Sequence, residues 1–355
     1  MTSIDEDKLR SLTFAVWNFK QGEMVSLMIH LGDRLGIYKS MAGLGAVTAG
    51  QLADVTGYKE RWLLEWLRGQ AAARLLDYHH PDQFELSPEC AILLAEEDTG
   101  TSFAGGAFTG GTPQETIDKI AEAFTTGIGL SYEKLGPNAA HRTERMLGPW
   151  IREALVPQII PSLNGVEDKL KKGALVADVG CGGGLTLTTM ASAFPNSEFH
   201  GFDPNSHAIA NLQSNSEAQG LTNIKPFTAG GEDLPQDASY DFVLSFDCIH
   251  DMTSPQDVIR AIRKSLKSDG TWLIKDIRSD PDFRNNLKNP LLAMFYSFSV
   301  SACMSSALSE PNGAGLGTLG FNPEVAREMT QEAGFTRFTQ HDFGEAANLY
   351  YEVRP

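Results

Sequence analysis

The sequence predicts an α/β fold, with a mainly helical N-terminal region ahead of a parallel-sheet domain. Three observations predict it. First, the apolar run Leu175-Val176-Ala177-Asp178-Val179 leads into a glycine-rich turn, Gly180-Cys181-Gly182-Gly183-Gly184, and then into Thr186 to Ala193, which reads as a helix. Second, Glu198 to Asp203 and Tyr240 to Asp247 read as further strands with helical stretches between them. Third, before residue 100 the apolar residues recur at helical spacing.

At 355 residues the chain is long for one domain and suggests two. Its 29 basic against 45 acidic residues give a net charge of −16, which opposes nonspecific affinity for nucleic acid or anionic membrane. No apolar run reaches the ~18 residues needed to span a bilayer. The opening Met1-Thr2-Ser3-Ile4-Asp5-Glu6-Asp7 lacks the apolar core of a signal peptide. Cys90, Cys181, Cys248 and Cys303 are scattered, with neither zinc spacing nor a disulfide framework. A cytoplasmic, metal-free protein is the expectation.

In the N-terminal third, Glu23 to Leu35 carries Met24, Leu27, Met28, Leu31 and Leu35 on one helical face. Thr48-Ala49-Gly50-Gln51 is a capping box before a short helix through Asp54, and Thr56-Gly57 makes a turn. Lys59 to Leu76 reads as a longer helix with Leu63, Trp66, Leu67, Ala71 and Leu75 on its apolar face and Trp62 at the edge. Asp77 to Leu86 suits a two-stranded wing, and Ser87-Pro88-Glu89 starts another helix. Helix, turn, helix, wing is a winged helix. DNA binding is one reading of it. The second helix would present Lys59, Arg61, Arg68 and Arg74, but also Glu60 and Glu65. Residues 1–98 hold nine basic and fifteen acidic side chains, net −6, which is poorly suited to neutralising phosphates. Dimerisation is the alternative, with Trp62 and Trp66 as core or interface anchors.

Residues 99–111, rich in Gly, Ser, Thr and Phe, read as a linker or as a segment that brings Phe103 or Phe108 to a ligand. Thr112-Pro113-Gln114-Glu115 starts a helix with proline at its first position. In Thr126 to Gly136, Tyr132 either stacks on or hydrogen-bonds a ligand or packs under the loop. Thr143 to Ile160 reads as a packing helix that Pro149 and Pro157 kink or divide.

The glycine turn is a cofactor loop by position. Its sixth place is Leu185, so the dinucleotide fingerprint lacks its third glycine, and no Gly-Lys-Ser/Thr follows for a phosphate loop. Asp178 would repel a pyrophosphate but suits an ammonium group, and S-adenosylmethionine carries one without phosphate. Asp203, 21 residues after Gly182, is placed to accept ribose hydroxyls. Gly230-Gly231-Glu232-Asp233-Leu234-Pro235 follows a third strand and suits an adenine edge. A nicotinamide-dependent oxidoreductase is disfavoured by Leu185 and Asp178.

With these features in this order, residues 170–355 resemble the class I S-adenosylmethionine-dependent methyltransferases. The resemblance implies a Rossmann-like seven-stranded sheet. Gly270 to Ile277 is then the fifth strand, and Phe335 to His341 and Asn348 to Val353 are the closing pair. The winged-helix layout resembles the N-terminal dimerisation domain of small-molecule O-methyltransferases and of a mycobacterial-type winged-helix methyltransferase group. Such domains often end the second helix at a glycine where this chain has Arg74, so a longer helix is expected. The implied organisation is a winged-helix dimerisation domain (1–98), a helical connector and lid (99–170) and a methyltransferase domain (171–355).

The cofactor residues this implies are Asp178, Gly180, Cys181, Gly182, Asp203, Pro204, Glu232, Asp233, Leu234, Asp247 and Tyr132. Methyl transfer to a hydroxyl also needs a base. His250, in Asp247-Cys248-Ile249-His250-Asp251-Met252 after the fourth strand, matches the family's His-Asp pair by order and placement, although Met252 stands where a tryptophan is usual. Asp276, at the end of the fifth strand, is the best placed acid to hold its tautomer. Between residues 290 and 320, Met294, Phe295, Tyr296, Phe298, Cys303 and Met304 precede a glycine run. This stretch reads either as a cover for an apolar acceptor or as a core helix. The expected function is methylation of a small, largely apolar acceptor by a homodimer. The alternative is a DNA-binding regulator that senses S-adenosylmethionine.

Overall fold

A computed structural model describes residues 4–98, 102–136 and 139–355, so the first three residues and 99–101 of the expected linker lie outside the described ones. The chain divides into two compact units, 1–112 with 145–149, and 113–144 with 150–355.

The first unit holds α1 (Glu6–Arg34), α2 (Ile37–Met41), α3 (Ala49–Thr56), α4 (Glu60–Ala72), β1 (Asp77–His79), β2 (Gln83–Glu85) and α5 (Pro88–Leu94). Asp5 caps α1, which starts well before Glu23. Its first half was illegible as a helix because it has no apolar stripe: Phe14, Trp17 and Phe19 lie exposed among polar residues. Both bonds of the Thr48/Gln51 capping box form, at 3.2 and 2.8 Å. Leu63, Trp66 and Leu67 of α4 are buried with Tyr38, Leu52 and Phe84, whereas Trp62 is 79% exposed. The expected longer helix does not form. α4 stops at Ala72, and Arg74 takes the left-handed conformation at φ 63° that glycine more readily supplies. β1 and β2 pair antiparallel as the wing. Two basic residues of the helix that would face DNA are taken by acids, since Arg61 pairs with Glu65 at 2.6 Å and Arg68 with Asp82 at 2.8 Å.

The segment 102–108 is not a free linker. Arg145 binds Asp33 at 2.8 and 2.9 Å and Glu97 at 2.8 Å, and its guanidinium lies 5.6 Å from the Phe103 ring centroid. The guanidinium hydrogen bonds hold both carboxyls below the usual carboxylate range. Phe103 is buried, and the Phe108 carbonyl meets His30 Nδ1 at 3.0 Å. Both aromatics therefore belong to the first unit's own packing.

The second unit opens with α6 (Gln114–Thr126), where Pro113 stands at the cap rather than the first helical position. α7 (Ala139–Ala154), of which residues 145–149 are counted with the first unit, contains Pro149. A π-turn over Leu155–Ile159, holding Pro157, divides it from Ile160–Ser162. The sheet strands are β3 (Leu175–Val179), β4 (Glu198–Asp203), β5 (Ile224–Thr228), β6 (Tyr240–Phe246), β7 (Leu266–Ile277), β8 (Arg337–His341) and β9 (Asn348–Arg354). They run in the order β5-β4-β3-β6-β7-β9-β8, parallel except for β9, which is antiparallel to both β7 and β8.

Successive strand residues alternate between two cores. Val176, Phe242 and Leu273 enter one, and Ala177, Val243 and Ile274 the other. Helices on both faces supply the rest, and double-sided burial is why the strands read as continuous apolar runs. β7 begins at Leu266 rather than Gly270, because Leu266 pairs with Tyr240 across an irregularity in the ladder. The strand order reverses between β3 and β6, which opens a crevice at their carboxyl ends.

Candidate active site

The chemistry-bearing residues of the second unit gather along the carboxyl edge of its sheet. After β3 the backbone turns through Gly180, Gly182 and Gly184 at φ 74°, 53° and 84°, values that L side chains rarely adopt. The Gly180 amide donates to the Phe202 carbonyl at 2.8 Å, and the Cys181 amide donates to the same carbonyl at 3.1 Å. The Gly182 amide donates to Asp203 Oδ2 at 3.0 Å. Asp203 Oδ1 accepts from the Asn205 amide at 2.8 Å, so its carboxyl is oriented by backbone on both oxygens. Pro204 follows it, exposed.

Asp178, 2% exposed, has no cation beside it among the described residues. Burial, with the Asp203 charge added, pushes its carboxyl up to about 8. Burial also raises Asp203, against the two amides that favour its charged form. A buried, unpaired carboxyl is costly. Together with a glycine cradle that no side chain crowds at Gly182, it suits the cationic amino-acid end of S-adenosylmethionine.

At the end of β5, Glu232 and Asp233 are exposed in a short turn, and the Glu232 carboxyl folds over Gly230. Leu234, in contrast, is buried in the core beside Val243 and Ile259. It backs this edge rather than presenting its side chain there. Asp247, at φ 52°, has both oxygens engaged. Asn348 Nδ2 hydrogen-bonds one, and Lys275 Nζ lies 3.0 Å from the other. Lys275 is fully buried and also meets Glu345 at 3.0 Å. Asp247 thus anchors the loop after β6 rather than offering a free carboxylate.

That loop carries His250 in the short 3₁₀ turn Ile249–Asp251. His250 Nδ1 and Asp276 Oδ1 are 2.7 Å apart, with both side chains buried. Burial alone would weaken the imidazolium, but the Asp276 carboxylate outweighs it and holds His250 well above the ordinary imidazole range. The Ile277 amide donates to the same Asp276 oxygen at 2.7 Å, and the Gly317 amide holds the His250 carbonyl at 2.9 Å.

Tyr132 is placed on this side too. Its hydroxyl shares a 3.7 Å hydrogen bond with Cys303 Sγ, and it lies near Asp251. Burial pushes the Asp251 carboxyl up to about 7. Cys303 also lies near His250. It closes a π-turn, Ser299–Cys303, in the stretch after β7, where Met294, Tyr296 and Phe298 stay exposed. The stretch is tied to the connector by the Leu130 amide on Ser305 Oγ at 2.8 Å. Cys181 and Cys248 are buried, and Cys248 Sγ donates to the Val179 carbonyl at 3.1 Å.

Sequence reasoning missed Glu144 and the Lys275–Glu345 pair. Each is brought in by an element remote in sequence from the motif it joins, so no local spacing could signal it.

Residues 170–307 match the family described as a methyltransferase domain, and residues 23–96 match that described as an Rv2258c-like winged HTH domain. A tRNA U34 carboxymethyltransferase of Desulfotalea psychrophila is 31% identical over 105 residues, 29% of this chain and 32% of that protein. The chain thus spans about a third of that relative's length. A ubiquinone biosynthesis O-methyltransferase of Roseobacter denitrificans is 28% identical over 171 residues, 48% of this chain and 67% of that protein. Human N-acetylserotonin methyltransferase, solved in complex with S-adenosylmethionine, superposes with a TM-score of 0.67 at 15% identity, covering 100% of this chain and 99% of that one. The chain joins a winged helix-turn-helix domain to a Rossmann-like methyltransferase domain.

Proposed function

We propose that the chain is an S-adenosylmethionine-dependent methyltransferase that methylates a hydroxyl of a small, largely apolar organic acceptor. The observation that carries this is the buried His250–Asp276 pair at 2.7 Å, on the same sheet edge as the glycine loop. When bound, S-adenosylmethionine supplies a methyl group already activated by its sulfonium. The chain's work is then to hold the partners in line and to take a proton.

Asp178 and the backbone of Gly180, Cys181 and Gly182 hold the amino-acid end. Asp203, with Pro204 beside it, takes the ribose hydroxyls, and Glu232 and Asp233 line the adenine edge in front of Leu234. Asp276 keeps Nδ1 of His250 engaged, so that Nε2 faces the acceptor. Tyr132 and Cys303 close the acceptor side, and the exposed Met294, Tyr296 and Phe298 favour an apolar acceptor.

The relatives' names include an O-methyltransferase, which agrees with a hydroxyl acceptor. Phe14, Trp17 and Phe19, exposed at 70%, 67% and 76%, favour a homodimer that covers α1. The four cysteines are free thiols, which suits a cytoplasmic setting. No described helix is long and apolar enough to cross a membrane.

The test is product formation. The purified chain is incubated with S-adenosylmethionine and a panel of phenols and hydroxynaphthoates, and methyl ethers are read by mass spectrometry beside His250→Ala. Ether formation that disappears in the variant supports the reading. Equal rates in both proteins would remove His250 from it.

A further inference from the structure

We infer that Glu144 is a third carboxylate of the cofactor cradle and grips the cationic amino-acid end of the bound cofactor. This rests on the S-adenosylmethionine reading above. Glu144 lies on α7, and its carboxyl rests against the glycine loop: a Cβ built on Gly183 would lie 2.5 Å from Glu144 Oε2. Any side chain at 183 would displace that carboxyl, so the glycine serves Glu144 as much as the backbone turn. Gly183 is the one glycine of the run's last three without a positive φ, and conformation alone does not require it.

The electrostatics agree with the geometry. Burial raises the Glu144 carboxyl, and among the described residues the charge of Arg152, two helical turns away, opposes this. Burial pushes the Cys181 thiol well up, and Asp178, Asp203 and Glu144 all add to that, so three carboxyls converge on one residue of the loop. Among the described residues no Lys, Arg or His side chain relieves Asp178 or Asp203. Three acids gathered in a poorly solvated place are destabilising by themselves. A ligand with an ammonium and a sulfonium group supplies the missing positive charge.

The experiment measures binding and melting of the full chain. Calorimetric titration with S-adenosylmethionine, S-adenosylhomocysteine and 5′-methylthioadenosine, which lacks the amino-acid end, is run on wild type, Glu144→Gln and Glu144→Asp. The expected result for Glu144→Gln is about tenfold weaker binding of the first two ligands, unchanged binding of 5′-methylthioadenosine, and a ligand-free melting temperature equal to or above wild type. Glu144→Asp should fall between. Unchanged affinity for S-adenosylmethionine, equal loss for all three ligands, or a lowered ligand-free melting temperature overturns the role of Glu144. Wild type that binds none of the three overturns the cofactor reading instead, so the two failures are distinct.

Discussion

Two kinds of buried acid line the carboxyl edge of this sheet. Asp247 and Glu345 hold Lys275 between them at 3.0 Å each, and Asp276 holds His250 at 2.7 Å. Asp178, Asp203 and Glu144 are buried or nearly so with no cation in hydrogen-bonding contact among the described residues. In the first kind each acid has a cationic partner, which fixes backbone and tautomer. The second kind lacks such a partner among the described residues, and its cost makes sense when a cationic ligand is counted.

The largest effect that separates them belongs to His250. Replacing it with Ala should lower kcat about 10²- to 10⁴-fold and leave S-adenosylmethionine affinity intact, by steady-state kinetics beside calorimetry. Because Asp276 raises His250 while only the neutral imidazole accepts a proton, the wild-type rate should climb with pH above neutrality. Asp276→Asn should move that rise to lower pH. A pH-independent rate in the wild type would sink the base assignment.

Next is Lys275. Lys275→Met leaves Asp247 and Glu345 facing each other unpaired, and should cost about 3–5 kcal/mol in urea unfolding. Asp178→Asn is the opposite case. Removing an unpaired charge should leave ligand-free stability equal or higher at pH 8, while S-adenosylmethionine affinity falls about 10- to 100-fold. A loss of stability as large as that of Lys275→Met would erase the distinction between the two groups.

The same contrast gives a pH slope. The folded Asp178 carboxyl, at about 8, binds its proton more tightly than the unfolded one near 4. Between those values the native state carries more protons, so ligand-free stability should fall as pH rises from about 4 to 8. Saturating S-adenosylmethionine should flatten that fall, and Asp178→Asn should remove part of it, both by thermal melts across pH. The smallest effect concerns the first unit. Arg74→Gly relieves a left-handed arginine and should add up to about 1 kcal/mol, read by the melting midpoint.

Local signals made much of this legible. The β3 run and its glycine turn, Asp203 at its spacing and the capping box at Thr48 all act within a few residues, and all stand where the pattern put them. α4 shows where such reasoning fails. Its stop at Ala72 depends on Arg74 accepting a strained φ, which residue identity argues against. Likewise 102–108 has the composition of a linker, yet it is fixed by Arg145, more than 35 residues on.

The sequence by itself determined the α/β class and the order of the strands along the chain, because buried apolar runs and short turns are properties of neighbours. Only the tertiary structure decided that Asp247 is occupied by Lys275 and Asn348, that Tyr132 meets Cys303 rather than the glycine loop, and that Glu144 rests on Gly183. These are contacts between residues 28 to 171 positions apart, and packing of helices against a sheet brings them together, not any spacing along the chain.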